Sequence, residues 1–173
     1  MGAPNGYACS MITALEALAR LREGNRRFVE NQSTPASAQN PARRAQLVAG
    51  QEPFAIVLGC SDSRVPAELV FDQGLGDLFV IRVAGNIVAP SQIGSVEFAA
   101  SRFGTRLVVV MGHSQCGAIQ ATLEEMLGRA STQSRNLKSI VDRIRPGLET
   151  MLPSRTQLDS CAVMQDAVRA NVS

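Results

Sequence analysis

The sequence predicts an α/β domain with a mostly parallel central sheet flanked by helices. Three observations carry that expectation. Phe54-Ala55-Ile56-Val57-Leu58-Gly59, Leu78-Phe79-Val80-Ile81-Arg82-Val83 and Leu107-Val108-Val109-Val110-Met111-Gly112 are short, nearly unbroken apolar runs with β-branched members, the pattern of strands covered on both faces. Stretches with helical spacing of apolar residues stand before, between and after these runs, and such alternation marks the α/β class. The length of 173 residues suits a single domain, and a hydrophobic content of 45% fills a core that must be mostly aliphatic, since aromatic residues make up only 4%.

Taken in order, Thr13-Ala14-Leu15-Glu16 reads as a capping box, in which the hydroxyl and the carboxylate each satisfy an orphan backbone N–H. Leu15, Leu18, Leu21 and Phe28 recur at roughly helical spacing and predict a helix over 13–30. Residues 31–41 form a polar loop rich in Ser, Gln and Pro, after which Pro41 starts a short helix with Asn40 as its cap. The three apolar runs predict strands over 54–59, 78–83 and 107–112. Between the second and third, residues 90–103 carry Ile93, Val96 and Phe98 on a helical face. Further helices are expected over 118–127, 137–148 and 158–172. The chain has no internal repeat and no low-complexity segment.

Composition narrows the function classes. A formal net charge of +2 provides no basic footprint for nucleic acid, and the Arg pairs at 26–27 and 43–44 read as solvated faces. No apolar run reaches bilayer-spanning length. The first ten residues lack the basic and apolar segments of a secretory signal, and Gly6 breaks the myristoylation pattern. The expected location is therefore the reducing cytoplasm. There, Cys9, Cys60, Cys116 and Cys161 are expected to be buried, metal-bound or catalytic rather than disulfide-linked. His113 is the single histidine.

Two polar clusters follow apolar runs: Cys60-Ser61-Asp62-Ser63-Arg64 after the first, and His113-Ser114-Gln115-Cys116-Gly117 after the third. In open α/β sheets ligands bind just past the carboxyl ends of the strands, where the strand order reverses, so a shared site requires the first and third strands to be neighbours. Two thiolates and one imidazole suit zinc, and three protein ligands leave a fourth position for water or substrate. The separation of Cys60 from Cys116 is too long for a zinc finger. Plainer readings stand beside this one. A lone cysteine is commonly a small buried hydrophobe, which is the reading taken for Cys9 and Cys161. His113 is alternatively a satisfied core histidine, and Asp62 with Arg64 an ordinary surface ion pair of little energetic weight.

Residues 60–68, Cys60-Ser-Asp-Ser-Arg-Val-Pro-Ala-Glu68, and Gly112-His-Ser-Gln-Cys-Gly-Ala118 resemble the two signature segments of the β-class carbonic anhydrases. Phe71 to Asn86, Gly94-Ser-Val-Glu-Phe98, Glu23-Gly-Asn-Arg-Arg-Phe28 and Gly50-Gln-Glu-Pro-Phe54 are similar to that family as well. The resemblance runs from about Leu15 to about Leu127 and thins from Ser131. It implies reversible hydration of carbon dioxide to bicarbonate and a proton. Zn2+ would be held by Cys60, His113 and Cys116, and zinc-bound hydroxide would be oriented by an Asp62–Arg64 dyad. The family pattern puts Gln51, Phe79, Ala84 and Gly117 on the substrate side and lets Phe98 reach in from a partner subunit. It also implies a homodimer or a dimer of dimers, with the N-terminal helix extending onto the partner subunit.

In such a site two thiolates cancel the formal charge of the zinc ion and weaken it as a Lewis acid. Released from Arg64, Asp62 would become a fourth ligand and close the site. The family's strongly pH-gated members carry a Trp that this chain lacks, so a site open near neutral pH is expected. With the single histidine committed to the metal, buffer or a non-histidine group must take the proton. The family usually continues with more helix and a further strand, so the expected domain is C-terminally shortened: either the sequence is a piece of a longer protein or the tail is truly absent, and absence would leave a sheet edge uncovered. Three rival functions share these residues: a carbon disulfide or carbonyl sulfide hydrolase on the same scaffold, a non-catalytic zinc-stabilised interaction module, and thiol catalysis with His113 as base.

Overall fold

The computed structural model describes residues 12–33, 41–131, 134–151 and 161–173. Helix α1 (Ala14–Val29) opens on the expected capping box: the Thr13 N–H donates to the Glu16 carboxylate at 2.7 Å, and the Glu16 N–H to Thr13 Oγ1 at 3.2 Å. Helix α2 (Pro41–Leu47) starts at Pro41 as expected; Asn40 lies outside the described residues. Strand β1 (Ala55–Gly59), helix α3 (Ala67–Val70), strand β2 (Leu78–Arg82), a 3-10 turn (Ala84–Asn86), helix α4 (Pro90–Phe103) and strand β3 (Val108–Met111) follow. Helices α5 (Gly117–Met126), α6 (Arg135–Met151) and α7 (Cys161–Val172) complete the chain. Two elements, α3 and the 3-10 turn, are too short to imprint a period on the sequence. Helix α6 is longer than 137–148 and runs through Pro146, with its buried stripe of Val141, Ile144 and Leu148 continuing past the proline. Among the described residues no helix is long and apolar enough to cross a membrane.

The sheet has the order β2-β1-β3. Val83 N–H donates to Gly59 O at 3.1 Å while Val83 O accepts from Ser61 N–H at 3.3 Å, so one residue bonds two that lie two apart on the neighbouring strand, the slanted ladder of parallel pairing. On the other side Ile56 N–H donates to Leu107 O at 2.8 Å. All five residues of β1 are buried. Coverage on both faces fails for the other runs. β2 is only partly buried, and Val108 and Val110 of the edge strand β3 are 46% and 41% exposed. An apolar run reports affinity for a covered face and is blind to the strand's place in the sheet.

The chain divides into two compact units. The first comprises residues up to Ile56 with Glu68–Phe79 and Val96–Val108. There α1 buries Ala17 and Leu21 and is tied to the 70–77 turn of its own chain: Arg27 pairs with Asp72 at 2.5 Å, Arg20 Nε donates to Gln73 at 3.0 Å and Asn25 Nδ2 to Val70 O at 3.0 Å. Phe79, Phe98 and Phe103 form a ring cluster with centroids 5.9 to 6.2 Å apart.

The second unit comprises Val57–Ala67, Val80–Ser95 and the chain from Val109 onward. Its core gathers Cys60, Ile87, Cys116, Ile119, Leu123, Ile144, Leu148 and Ala167. Burying each of the large aliphatic side chains stabilises this unit by about 2 kcal/mol before conformational entropy is charged against it.

Candidate metal centre

The order β2-β1-β3 makes β1 and β3 neighbours: the chain passes from β1 to β2 on one side and crosses back to β3 on the other. The loops after β1 and β3 therefore stand side by side where the strand order reverses, a topological switch point. Cys60 is the first residue past β1, His113 stands two residues past β3, and Cys116 is the N-cap of α5. All three belong to the second unit.

Their ligand atoms lie within 4.8 Å of one another. The two sulfurs are 4.0 Å apart, within reach of a thiol hydrogen bond and not joined by a disulfide, close to the ~3.8 Å that a tetrahedral zinc with ~2.3 Å Zn–S bonds imposes on two thiolates. His113 Nδ1 lies 2.9 Å from the Ser114 carbonyl. A carbonyl only accepts, so Nδ1 carries the proton and Nε2 the lone pair. That Nε2 is buried and has no hydrogen-bond partner among the described residues. A buried acceptor with nothing to accept costs about 1–3 kcal/mol, and a cation between it and the two thiols removes the deficit. Two soft sulfurs and a borderline nitrogen suit zinc, and three ligands leave an open fourth position.

Burial pushes the Cys116 thiol pKa up, while the Ile119 and Ala118 N–H groups at the start of α5 pull it back. Cys60 Sγ accepts the Gly85 N–H at 3.3 Å. Thiols of this kind ionise as they take a metal and release their protons.

Asp62 stands beside the triad, with Oδ2 3.9 Å from His113 Nε2. Arg64 grips it three times: Nε to Oδ1 at 2.8 Å, Nη2 to Oδ2 at 2.7 Å and the backbone N–H to Oδ1 at 3.0 Å. These bonds hold the carboxyl well below the usual carboxylate range, the Arg64 side-chain bonds contributing most. Arg64 Nη2 also donates to Gln115 O at 3.1 Å, so one guanidinium ties the two loops together. Arg82 braces the first loop, donating from Nε to Cys60 O at 2.9 Å and from Nη2 to Asp62 O at 2.6 Å.

Of the residues singled out in the sequence, Cys60, Asp62, Arg64, His113 and Cys116 converge. Ala84 opens the 3-10 turn and Gly117 opens α5, both in the same unit. Gln51, Phe79 and Phe98 belong to the first unit. Gln51 is exposed beside a groove of about 480 Å³ lined by Arg44, Leu47, Val48 and Leu75. Phe98 is 54% exposed and packs on Phe79 and Phe103. Cys60 and Cys116 are as buried as small hydrophobes; convergence with the unpartnered Nε2 is what separates them from that plainer reading. Cys9 and the side chain of Cys161 lie outside the described residues.

Arg82, Gly85 and Asn171 were not among the sequence candidates. A charged residue ending the apolar run of β2 was the one local signal for Arg82. Asn86, at φ +41° and 2% exposed, has both amide atoms without a partner among the described residues.

Residues 55–173 match the family described as carbonic anhydrase. The match passes through α6 and α7, beyond the point near Ser131 where the sequence resemblance was expected to thin. The chain is 45% identical over 128 residues to a carbonic anhydrase of Mycolicibacterium smegmatis, covering 74% of this chain and 61% of that protein. Carbonic anhydrase 2 of Mycobacterium tuberculosis is 42% identical with the same coverage. The chain thus spans about three fifths of the length of these relatives. Among solved structures, the β-carbonic anhydrase CcaA superposes with a TM-score of 0.66 at 28% identity, covering 90% of this chain and 70% of that one. The β-carbonic anhydrase CafA of Aspergillus fumigatus gives 0.63 at 27%, covering 91% and 69%. With a family match over most of its length and a fold shared with solved members, this chain belongs to the carbonic anhydrases, in the β class.

Proposed function

We propose that this chain hydrates carbon dioxide reversibly to bicarbonate and a proton, at a zinc ion held by Cys60, His113 and Cys116. The observation that carries the reading is the buried, unpartnered His113 Nε2 beside two free thiols 4.0 Å apart. Zinc bound there supplies a Lewis acid that turns water into a nucleophile near neutral pH.

Asp62 accepts a hydrogen bond from the attacking water and so orients its lone pair towards the carbon of the substrate. Arg64 keeps that carboxylate ionised and turned away from the ligand atoms. The Asp62–Arg64 pairing supports a site that is open rather than closed by Asp62 as a fourth ligand. Ala84 and Gly117 line the substrate side from the same unit. For Gln51, Phe79 and Phe98 the support is the family resemblance of their positions, with Phe98 acting from a partner chain. Exposed Leu15, Phe28 and Val29 on α1 support a homodimer or dimer of dimers, since apolar side chains on one helix gain by burial against a second copy. The cytoplasm is the proposed location. This sequence carries no second histidine to shuttle the proton, so buffer or a non-histidine group carries it away.

The test is zinc content by mass spectrometry together with stopped-flow carbon dioxide hydration at pH 7 and 8.5. One zinc per chain and activity rising with pH are expected. A zinc-loaded chain inert at both pH values overturns the catalytic reading, and a chain that takes no zinc overturns the metal reading.

A further inference from the structure

We infer that the C-terminal helix α7 positions the ligand Cys60, through a hydrogen bond from Asn171 to the backbone of Gly85. The inference rests on the metal reading above and names a support for it that lies 111 positions away from Cys60 along the chain.

Cys60 Sγ accepts the Gly85 N–H at 3.3 Å. A hydrogen bond of this kind fixes where the sulfur lone pairs point and tempers their charge, and such outer partners set metal affinity. The aim of that N–H depends on how the peptide groups flanking Gly85 are oriented. Gly85 has φ 67° and ψ 20°, the left-handed region, and an added Cβ would lie 2.7 Å from Ile144 Cδ1 and 3.0 Å from Ala118 Cβ. The residue has no side chain to lock it, so its orientation must be held through its backbone. Its carbonyl accepts from Asn171 Nδ2 at 2.9 Å in a part-buried setting.

The same helix face reaches the other ligand loop. A Cβ at Gly112, the residue before His113, would lie 2.9 Å from Val172 Cγ1 and 3.0 Å from Val168 Cγ1. Val168, Asn171 and Val172 stand at i, i+3 and i+4 and therefore share one face of α7. That face meets Gly85, which bonds Cys60, and Gly112, which precedes His113. The helix is in turn seated in the core by Val163 and Ala167, 1% and 0% exposed. Asn171 is thus a positioning residue: it acts on Cys60 through Gly85.

The experiment compares the full chain with Asn171→Ala, Asn171→Asp and Val163→Ala. Zinc affinity is read by chelator competition, and the thiolate-to-metal charge-transfer band is read on the cobalt(II)-loaded protein. Asn171→Asp keeps the shape of the side chain and loses the donor. Val163→Ala loosens α7 in the core without touching Gly85. Both Asn171 variants are expected to weaken zinc binding about 10- to 100-fold and to shift the cobalt band. Val163→Ala is expected to lower the melting temperature while keeping wild-type zinc affinity and spectrum. Asn171 variants with wild-type affinity and an unmoved band overturn the inference, as does a Val163→Ala variant that weakens zinc equally. A wild-type chain that takes up neither zinc nor cobalt overturns the metal reading itself, and the inference with it.

Discussion

The two loops that meet at the metal centre are held in different ways. The loop after β1 is fixed by side chains: Arg82 donates to the carbonyls of Cys60 and Asp62, and Arg64 grips the Asp62 carboxylate. The loop after β3 takes one side-chain bond, from Arg64 to the Gln115 carbonyl, and is otherwise fixed by its own backbone and by packing. Gln115 sits at φ 54°, Cys116 caps α5, the His113 ring is bonded to the adjacent Ser114 carbonyl and Gly112 lies against two valines of α7. The second arrangement carries two ligands three residues apart, and local geometry alone sets their spacing. The first carries a single ligand and a carboxylate that must point at the site without joining it. Orientation of that kind needs charged groups brought in from elsewhere in the chain.

The sharpest way to break this comparison is to remove one support from each loop. Arg82→Ala leaves two loop carbonyls without their donor and frees Cys60 and Asp62 together. Zinc affinity is expected to fall about 10- to 100-fold, as for lost outer partners of metal ligands. Gly112→Ala instead forces a methyl against Val168 and Val172, and overpacking of this kind costs about 1–3 kcal/mol of stability. Chelator competition and urea unfolding on both variants decide the matter. If Arg82→Ala loses stability alone while Gly112→Ala loses metal alone, the assignment of supports is reversed.

A smaller effect separates the loops by pH. The folded-state pKa of Asp62 lies below its unfolded value. Its pairing therefore stabilises the chain fully above the ordinary carboxylate range and is lost as pH falls through the depressed folded value. The stability difference between wild type and Asp62→Asn, measured by urea unfolding of metal-free protein, is expected to be flat from pH 6 to 8 and to shrink as the acid range is entered. A difference that grows on acidification would contradict the assignment.

The sequence was most legible where information is local. The runs at 55–59, 78–82 and 108–111 declare strands because no polar residue interrupts them before the last position, and α4 begins at Pro90, a residue that favours a helix's first turn. Thr13 and Glu16 spell out the start of α1. The ligands were legible because three chemistry-bearing types follow two such runs. What escaped was non-local. Arg82 acts across 20 or more positions and Asn171 across 86, and neither leaves a mark in its own neighbourhood. Val108 and Val110 share one face of β3, and their exposure reports that this face is uncovered among the described residues, a tertiary fact that the apolar run could not encode.

The smallest expected effect is the most diagnostic in sign. Gln115 occupies the left-handed region, which costs a side-chain-bearing residue about 1–2 kcal/mol. Glycine removes that strain but adds about 0.5–1 kcal/mol of unfolded-state entropy. Its carbonyl, the group Arg64 uses, is untouched by the exchange. Gln115→Gly should therefore stabilise the chain by about 0.5 kcal/mol. Ser63, at the matching place in the first loop, is not among the residues with positive φ. Ser63→Gly relieves nothing and should cost about 0.5–1 kcal/mol through entropy alone. Opposite signs in urea unfolding at pH 7 would mean that backbone strain is invested in the loop after β3 and absent from the loop after β1. Equal signs would mean that both loops are held by side chains, and that the left-handed turn at Gln115 is a consequence of the Arg64 bond rather than a support for it.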